Sequence, residues 1–203
     1  EGSRGSQGKL VAFGNPDGSL MSALLEVKAL QDLFPNASVF TGEKARKSAL
    51  QNLGDQGVSY LHFATHGILD SEDPRANHLV LAGSGQDAQL AVSEIAGLDL
   101  GQDIRLVTLS ACQTALVNDF PRSELLQSMA DAFGYAGSPS VVASLWSVSD
   151  ESTRLLMEEF YSELKNGSTR ARALQKAGLK VAHTEKFKHP FYWAPFVLMG
   201  DWR

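Results

Sequence analysis

The feature that most constrains this chain is the alternation of short apolar runs with amphipathic segments of helical length. KLVAFGNP reads as a strand, SLMSALLEVKALQDLF (Ser19 to Phe34) as an amphipathic helix, and ASVFTG as a second strand. A short helix is expected over Gly42 to Leu53, followed by the strand VSYLHFATH. The polar loop ILDSEDPRAN then interrupts the pattern. HLVLAG and AQLAVSEI, separated by SGQD, read as a hairpin on the flank of the sheet. The series closes with the strand IRLVTLSAC, a helix from Ser123 to Gly137, the strand SVVASLWSV, a helix ended by Gly167, the helix STRARALQKAGLKVAHT and a terminal strand FYWAPFVLMGD. Strands alternating with helices predict an α/β fold with a mostly parallel, doubly wound sheet.

A chain of 203 residues, 43% hydrophobic, buries one good core. Residues 9–203 are expected to form one domain, and the polar, Gly/Ser-rich residues 1–8 read as a linker or tag remnant. A net charge of −5 without a long basic run argues against direct nucleic-acid binding. The sequence holds no apolar run of eighteen residues and no hydrophobic leader at EGSRGSQGK, so no membrane association is expected. The single cysteine, Cys112, cannot form an internal disulfide, which makes a reducing compartment the easier home and predicts a cytoplasmic location.

The chemistry-bearing residues gather at strand ends. His66 closes the run YLHFATHG and Cys112 closes IRLVTLSAC, so an imidazole and a thiol emerge where two strands stop. In open α/β sheets the crevice beyond the carboxyl ends of the strands is where ligands bind. A thiol attacks a carbonyl as thiolate, and a histidine can take its proton and return it to a leaving amine. Gly67 lets a substrate approach the backbone, and its N–H, with that of Cys112, is suited to a developing oxyanion. Taken singly, each side chain has a plain structural explanation: free cysteine is often buried, and a strand-end histidine often bonds to backbone.

The blocks HFATHG, LSACQT, VVASLWSVSDESTRLLMEEFYSEL and HPFYWAPFVLMGD resemble the CHAT domain family in order and spacing, and the resemblance runs from about Lys9 to Arg203. That family belongs with the caspase-like cysteine proteases, relatives of separase, gingipains and caspases. The resemblance implies a caspase-like three-layer αβα sandwich, His66 and Cys112 as the catalytic dyad, and Gly67 in the oxyanion region. It implies a cysteine endopeptidase acting on protein or peptide substrates, with a non-catalytic scaffold or interaction domain as the alternative. It also implies a regulatory tetratricopeptide-repeat region in the full-length chain and a setting in bacterial signalling or defence. Family members often carry a Gly-rich stretch after the cysteine block, whereas this chain reads ALVNDFPRSELLQ; a resting form that is latent until activated is therefore expected.

By the same resemblance, the strand SVVASLW occupies the place where caspase-like folds line the pocket for the residue preceding the scissile bond, and Ser144, Trp146 and Asp150 are expected to line it. An acidic group beside an aromatic wall favours Lys or Arg, so a basic preference is expected. Asp150 stands where a helix begins, and capping is its competing role; Asp70 and Asp73 are alternative acidic walls. His62 lies four residues before His66 on a strand, without the helical His-Glu-x-x-His geometry or a third ligand cluster, so no metal site is expected. GNPDG after the first strand lacks the glycine spacing and lysine of a phosphate loop, and no cofactor is expected.

Overall fold

The computed structural model describes residues 8–70, 73, 76–110, 122–146 and 150–203, the side chains of 122–125 and 150 excepted. Cys112, the expected nucleophile, therefore lies outside the described residues. Six strands form the main sheet in the order β2-β1-β3-β7-β8-β9. They are β1 (Lys9–Gly14), β2 (Ser38–Thr41), β3 (Val58–Ala64), β7 (Leu106–Leu109), β8 (Ser140–Ser144) and β9 (Phe196–Gly200). All neighbours run parallel except β9, which lies antiparallel to β8. A second sheet of short antiparallel strands, β4 (Gly67–Ile68), β5 (His78–Val80) and β6 (Gln89–Ala91), contains the expected hairpin.

The strands read as unbroken apolar runs because both faces of the sheet are covered. Every residue of β3 is buried. Its alternate side chains divide between two cores: Leu61 and Phe63 join Phe13, Leu109 and Val141 beneath α3 (Arg122–Tyr135), whose Met129 and Phe133 are wholly buried. Tyr60 joins Leu10, Leu106 and Val142 on the opposite face. There the cover is α1 (Met21–Leu33), α4 (Asp150–Lys165) and α5 (Arg170–Ala182), through Leu30, Phe160 and Ala177 among others. The short α2 (Val92–Ala96) adds Ile95 to the α3 side. The result is a three-layer αβα sandwich, as expected.

Two segments depart from the sequence reading. Gly42 to Leu53, expected as one helix, forms separate 3-10 turns at Gly42–Lys44 and Lys47–Leu50. Gly42 and Asn52 both take left-handed backbone, with φ of 52° and 58°. The Ala45 carbonyl is drawn off to the Ala82 N–H at 2.7 Å. Buried Ala45 and Leu50 are five residues apart, off the three- or four-residue spacing of a helical face. The last strand is shorter than FYWAPFVLMGD: residues Pro190–Tyr192 form a 3-10 turn and pairing begins only at Phe196. Pro190 and Pro195 have no N–H to give a ladder, which confines the strand to the residues beyond them.

The chain leaves β1 for β2 on one side through α1 and then returns to β3 on the other side of β1. The β1–β3 boundary is therefore the switch point of the sheet, where a crevice opens at the carboxyl ends. The loops after β1 and β3 face each other there.

Candidate active site

Backbone requirements shape the loop after β1. A Cβ on Gly14 would lie 2.8 Å from the Val27 side chain and 3.1 Å from the Ala23 carbonyl, so glycine is what lets α1 press against the end of β1. Asn15 follows with φ of 48°, a left-handed conformation that asparagine tolerates better than most residues. Its N–H donates to the Ala64 carbonyl at 3.1 Å, its carbonyl accepts from the Gly42 N–H at 3.2 Å, and its Oδ1 accepts from the Leu20 N–H at 2.6 Å. These bonds fold residues 15–20 into a bracket over the end of β3.

The bracket presents Asp17 and Ser19 to His66. Ser19 Oγ lies 2.7 Å from His66 Nε2, and the same hydroxyl donates to Asp17 Oδ1 at 2.8 Å. A carboxylate only accepts, so the single hydroxyl proton goes to Asp17 and the Ser19 oxygen accepts from His66 Nε2–H. This assigns the Nε2–H tautomer and leaves Nδ1 as the ring's acceptor. Asp17 Oδ2 lies 3.8 Å from Nε2. Burial alone would push the Asp17 carboxyl up, but hydrogen bonds from the Ser19 backbone N–H and hydroxyl, with His66, outweigh it and hold the carboxyl below its ordinary range.

The other side of His66 is fixed by backbone. Its carbonyl accepts from the Val80 N–H at 2.8 Å, which ties β5 to the site, and Gly67 opens β4 opposite Leu79, buried. The His66 side chain is 21% exposed, enough to meet a substrate. On the next strand, the Ser110 N–H donates to the Phe63 carbonyl at 2.9 Å, so the end of β7 sits beside the end of β3. The Ser110 hydroxyl is buried with no partner among the described residues.

The residues assigned to the substrate pocket lie at the carboxyl end of β8. Ser144 is buried and donates to the Trp146 carbonyl at 2.5 Å, closing the turn that ends the strand. Trp146 is half-buried; its indole N–H donates to the Phe191 carbonyl at 3.0 Å, and the two rings stack with centroids 6.4 Å apart. Asp150 is the first residue of α4, and its side chain lies outside the described residues. Asp70 accepts from the Asp73 N–H at 3.1 Å, while the Asp70 N–H donates to Asn77 Oδ1, so both acids help close their own loop.

His62 is wholly buried, with Nε2 2.8 Å from Glu26 Oε1 and Nδ1 3.2 Å from the Tyr161 hydroxyl. Sequence reasoning missed Asp17, Ser19 and Glu26. GNPDGS carries the signal of an Asx or Ser turn after a strand, which would have directed attention to the first two.

The family described as the CHAT domain matches residues 2–201. Mouse tetratricopeptide repeat protein 28 is 35% identical over 104 residues, covering 51% of this chain and 4% of that protein. The chain thus matches only a small part of the curated relative's length. Among solved structures, the Arg-specific cysteine proteinase gingipain R superposes with a TM-score of 0.63 at 12% identity, over 97% of this chain and 46% of that one. The Saccharomyces cerevisiae separase–securin complex gives a TM-score of 0.60 at 18% identity, over 95% of this chain and 12% of that one. At such identities the likeness is one of fold, and that fold is caspase-like.

Proposed function

We propose, from the premise that this chain belongs to the CHAT domain family, that it is a cysteine endopeptidase using Cys112 as nucleophile and His66 as acid and base. The observation that carries this reading is the chain Asp17–Ser19–His66, which occupies Nε2 and leaves Nδ1 free to accept a proton. Cys112 lies two residues beyond Ser110, a span of at most about 7 Å, and Ser110 adjoins the end of β3.

In the proposed reaction His66 Nδ1 takes the thiol proton. The Cys112 sulfur then bonds to the substrate carbonyl carbon, and the oxyanion draws on the N–H groups of Gly67 and Cys112. The imidazolium, supported by Asp17 through Ser19, returns the proton to the departing amine as the C–N bond breaks. Water, deprotonated by the same nitrogen, cleaves the thioester and restores the thiol. General acid–base catalysis of this kind is worth about 10²–10⁴-fold.

Trp146 and Phe191 supply an apolar wall two strands from β3, with Ser144 fixing the turn that carries Trp146. With Asp150 as its acidic group, the pocket takes Lys or Arg before the scissile bond, in keeping with the Arg-specificity in the name of the gingipain neighbour. Since the matched mammalian protein is a tetratricopeptide-repeat protein, a repeat region in the full-length chain is the proposed regulator, holding the enzyme latent until activated.

A fluorogenic peptide library varied at the residue before the scissile bond, turned over by the wild type and Cys112→Ala, tests this. Turnover confined to the wild type, with a Lys or Arg preference, is expected. If turnover is absent and Cys112 alkylation is indifferent to His66, the domain is a scaffold and the peptidase reading fails.

A further inference from the structure

Two polar contacts join α1 to β3, one at the rim and one in the core. At the rim, Ser19 just before α1 meets His66 just after β3. In the core, Glu26 on α1 meets His62 on β3 at 2.8 Å, with Glu26 4% exposed and His62 fully buried. The helix descends as the strand rises, so the two contacts are rungs of one ladder. α1 begins at Met21 and β3 ends at Ala64, so Ser19 and His66 lie two residues beyond the elements that carry Glu26 and His62. Both rungs are closed at the observed height of the helix, at 2.7 and 2.8 Å.

The buried rung is anchored further. Burial pushes the Tyr161 phenol well up, so it keeps its proton, and that proton goes to Thr108 Oγ1 at 2.9 Å. The Tyr161 oxygen therefore accepts from His62 Nδ1–H. His62 Nε2 and Glu26 Oε1 sit within pairing distance but off the line of a good hydrogen bond. The series Glu26–His62–Tyr161–Thr108 thus crosses from α1 through β3 to α4 and β7, with every member buried. The remaining α1 contacts on the sheet, through Ala23, Val27 and Leu30, are apolar, and the other polar tie at the start of the helix is the Leu20 N–H on Asn15 Oδ1 at 2.6 Å.

We infer that Glu26 and His62 are positioning residues: their buried pair sets the height of α1 against β3 and thereby keeps Ser19 and Asp17 on the Nε2 of His66. A slip of one residue moves the helix about 1.5 Å along its axis, enough to break the 2.7 Å contact at the rim. The inference rests on the peptidase reading only for its consequence in turnover, since the placement of Ser19 on His66 is measurable by itself.

The test compares wild type with Glu26→Gln and with the double variant Glu26→Leu/His62→Phe. Replacing a buried pair with apolar residues of similar volume is often neutral or stabilising, so the double variant folds. The readouts are the thermal midpoint, the ring-nitrogen NMR shifts of His66, which report its tautomer, and the rate of Cys112 alkylation near neutral pH. In the double variant the thermal midpoint is held, the Nε2–H signature gives way to a mixture of tautomers, and alkylation slows about tenfold. Glu26→Gln, which keeps the length and an acceptor, retains most of both signals. A double variant that keeps the wild-type His66 tautomer and alkylation rate overturns the inference, as does a wild type that lacks the Nε2–H signature. Absence of peptide turnover, with the tautomer present in wild type and lost in the double variant, leaves the positioning role standing and removes the peptidase reading alone.

Discussion

His62 and His66 belong to the same stretch of chain, four residues apart, and the fold makes opposite things of them. His62 has no exposed surface, and each of its nitrogens faces a buried polar group, Nε2 the Glu26 carboxyl at 2.8 Å and Nδ1 the Tyr161 hydroxyl at 3.2 Å. His66 is partly exposed and, among the described residues, is held at Nε2 alone, with Nδ1 left over. The same imidazole is a structural tie in one place and a candidate proton carrier in the other. The difference lies in how many of its nitrogens the surroundings occupy, and both sets of surroundings come largely from one helix and the loop before it.

Four substitutions probe that contrast. The largest effect falls on turnover: His66→Ala lowers the proposed peptidase kcat/KM by about 10²–10⁴-fold while the thermal midpoint moves little, because the side chain is partly exposed. Steady-state kinetics beside calorimetry separates the two. His62→Ala reverses the pattern at the fold level. It strands the Glu26 carboxylate in the core and costs about 3–5 kcal/mol of stability, read by denaturant unfolding. Equal losses of stability at the two histidines would remove the distinction drawn between them.

Asp17→Asn acts on the support of His66 alone and lowers kcat about tenfold with KM nearly unchanged, since Asp17 stabilises the imidazolium formed during turnover. Its pH signature has a definite sign. The folded Asp17 carboxyl titrates below its ordinary value, so its stabilisation is fully present above that value and is lost as pH falls through the folded one. The gap in thermal midpoint between wild type and Asp17→Asn therefore persists at neutral pH and closes in strong acid. A gap that widened on acidification would contradict the carboxylate's role. The smallest effect is that of Trp146→Ala, which costs about 1 kcal/mol in the discrimination of substrates and leaves the His66 ring shifts untouched; the peptide library reads it.

Much of the framework was legible because its causes are local. The runs KLVAFG, VSYLHFA and SVVAS are short, rich in β-branched or aromatic residues and bounded by turn-formers, and each forms a strand. The hairpin of β5 and β6 was equally readable from its flanking turn. Gly42 to Leu53 misled because a tolerable helical composition was overridden by left-handed residues and by the Ala45 carbonyl being claimed by Ala82, in the turn between β5 and β6. At the site, His66 and Gly67 stood out by position at a strand end. Asp17 and Ser19 did not, because the loop after β1 that carries them meets His66 only across 47 residues of chain. Glu26 lay hidden on a helix face that reads as ordinary amphipathic surface. Its partner is reached only through the packing of α1 on β3, a pairing no local pattern announces.

The central claim is that His66 is held by Asp17 and Ser19 so that its free nitrogen serves the Cys112 thiol. The most direct measurement is the rate of Cys112 alkylation from pH 5 to 10 in the wild type and in His66→Ala. The account predicts that wild-type alkylation persists near pH 6, well below the ordinary thiol midpoint of about 8.5, and that His66→Ala returns the profile to that midpoint. Coincident profiles with an ordinary midpoint in both proteins would contradict it.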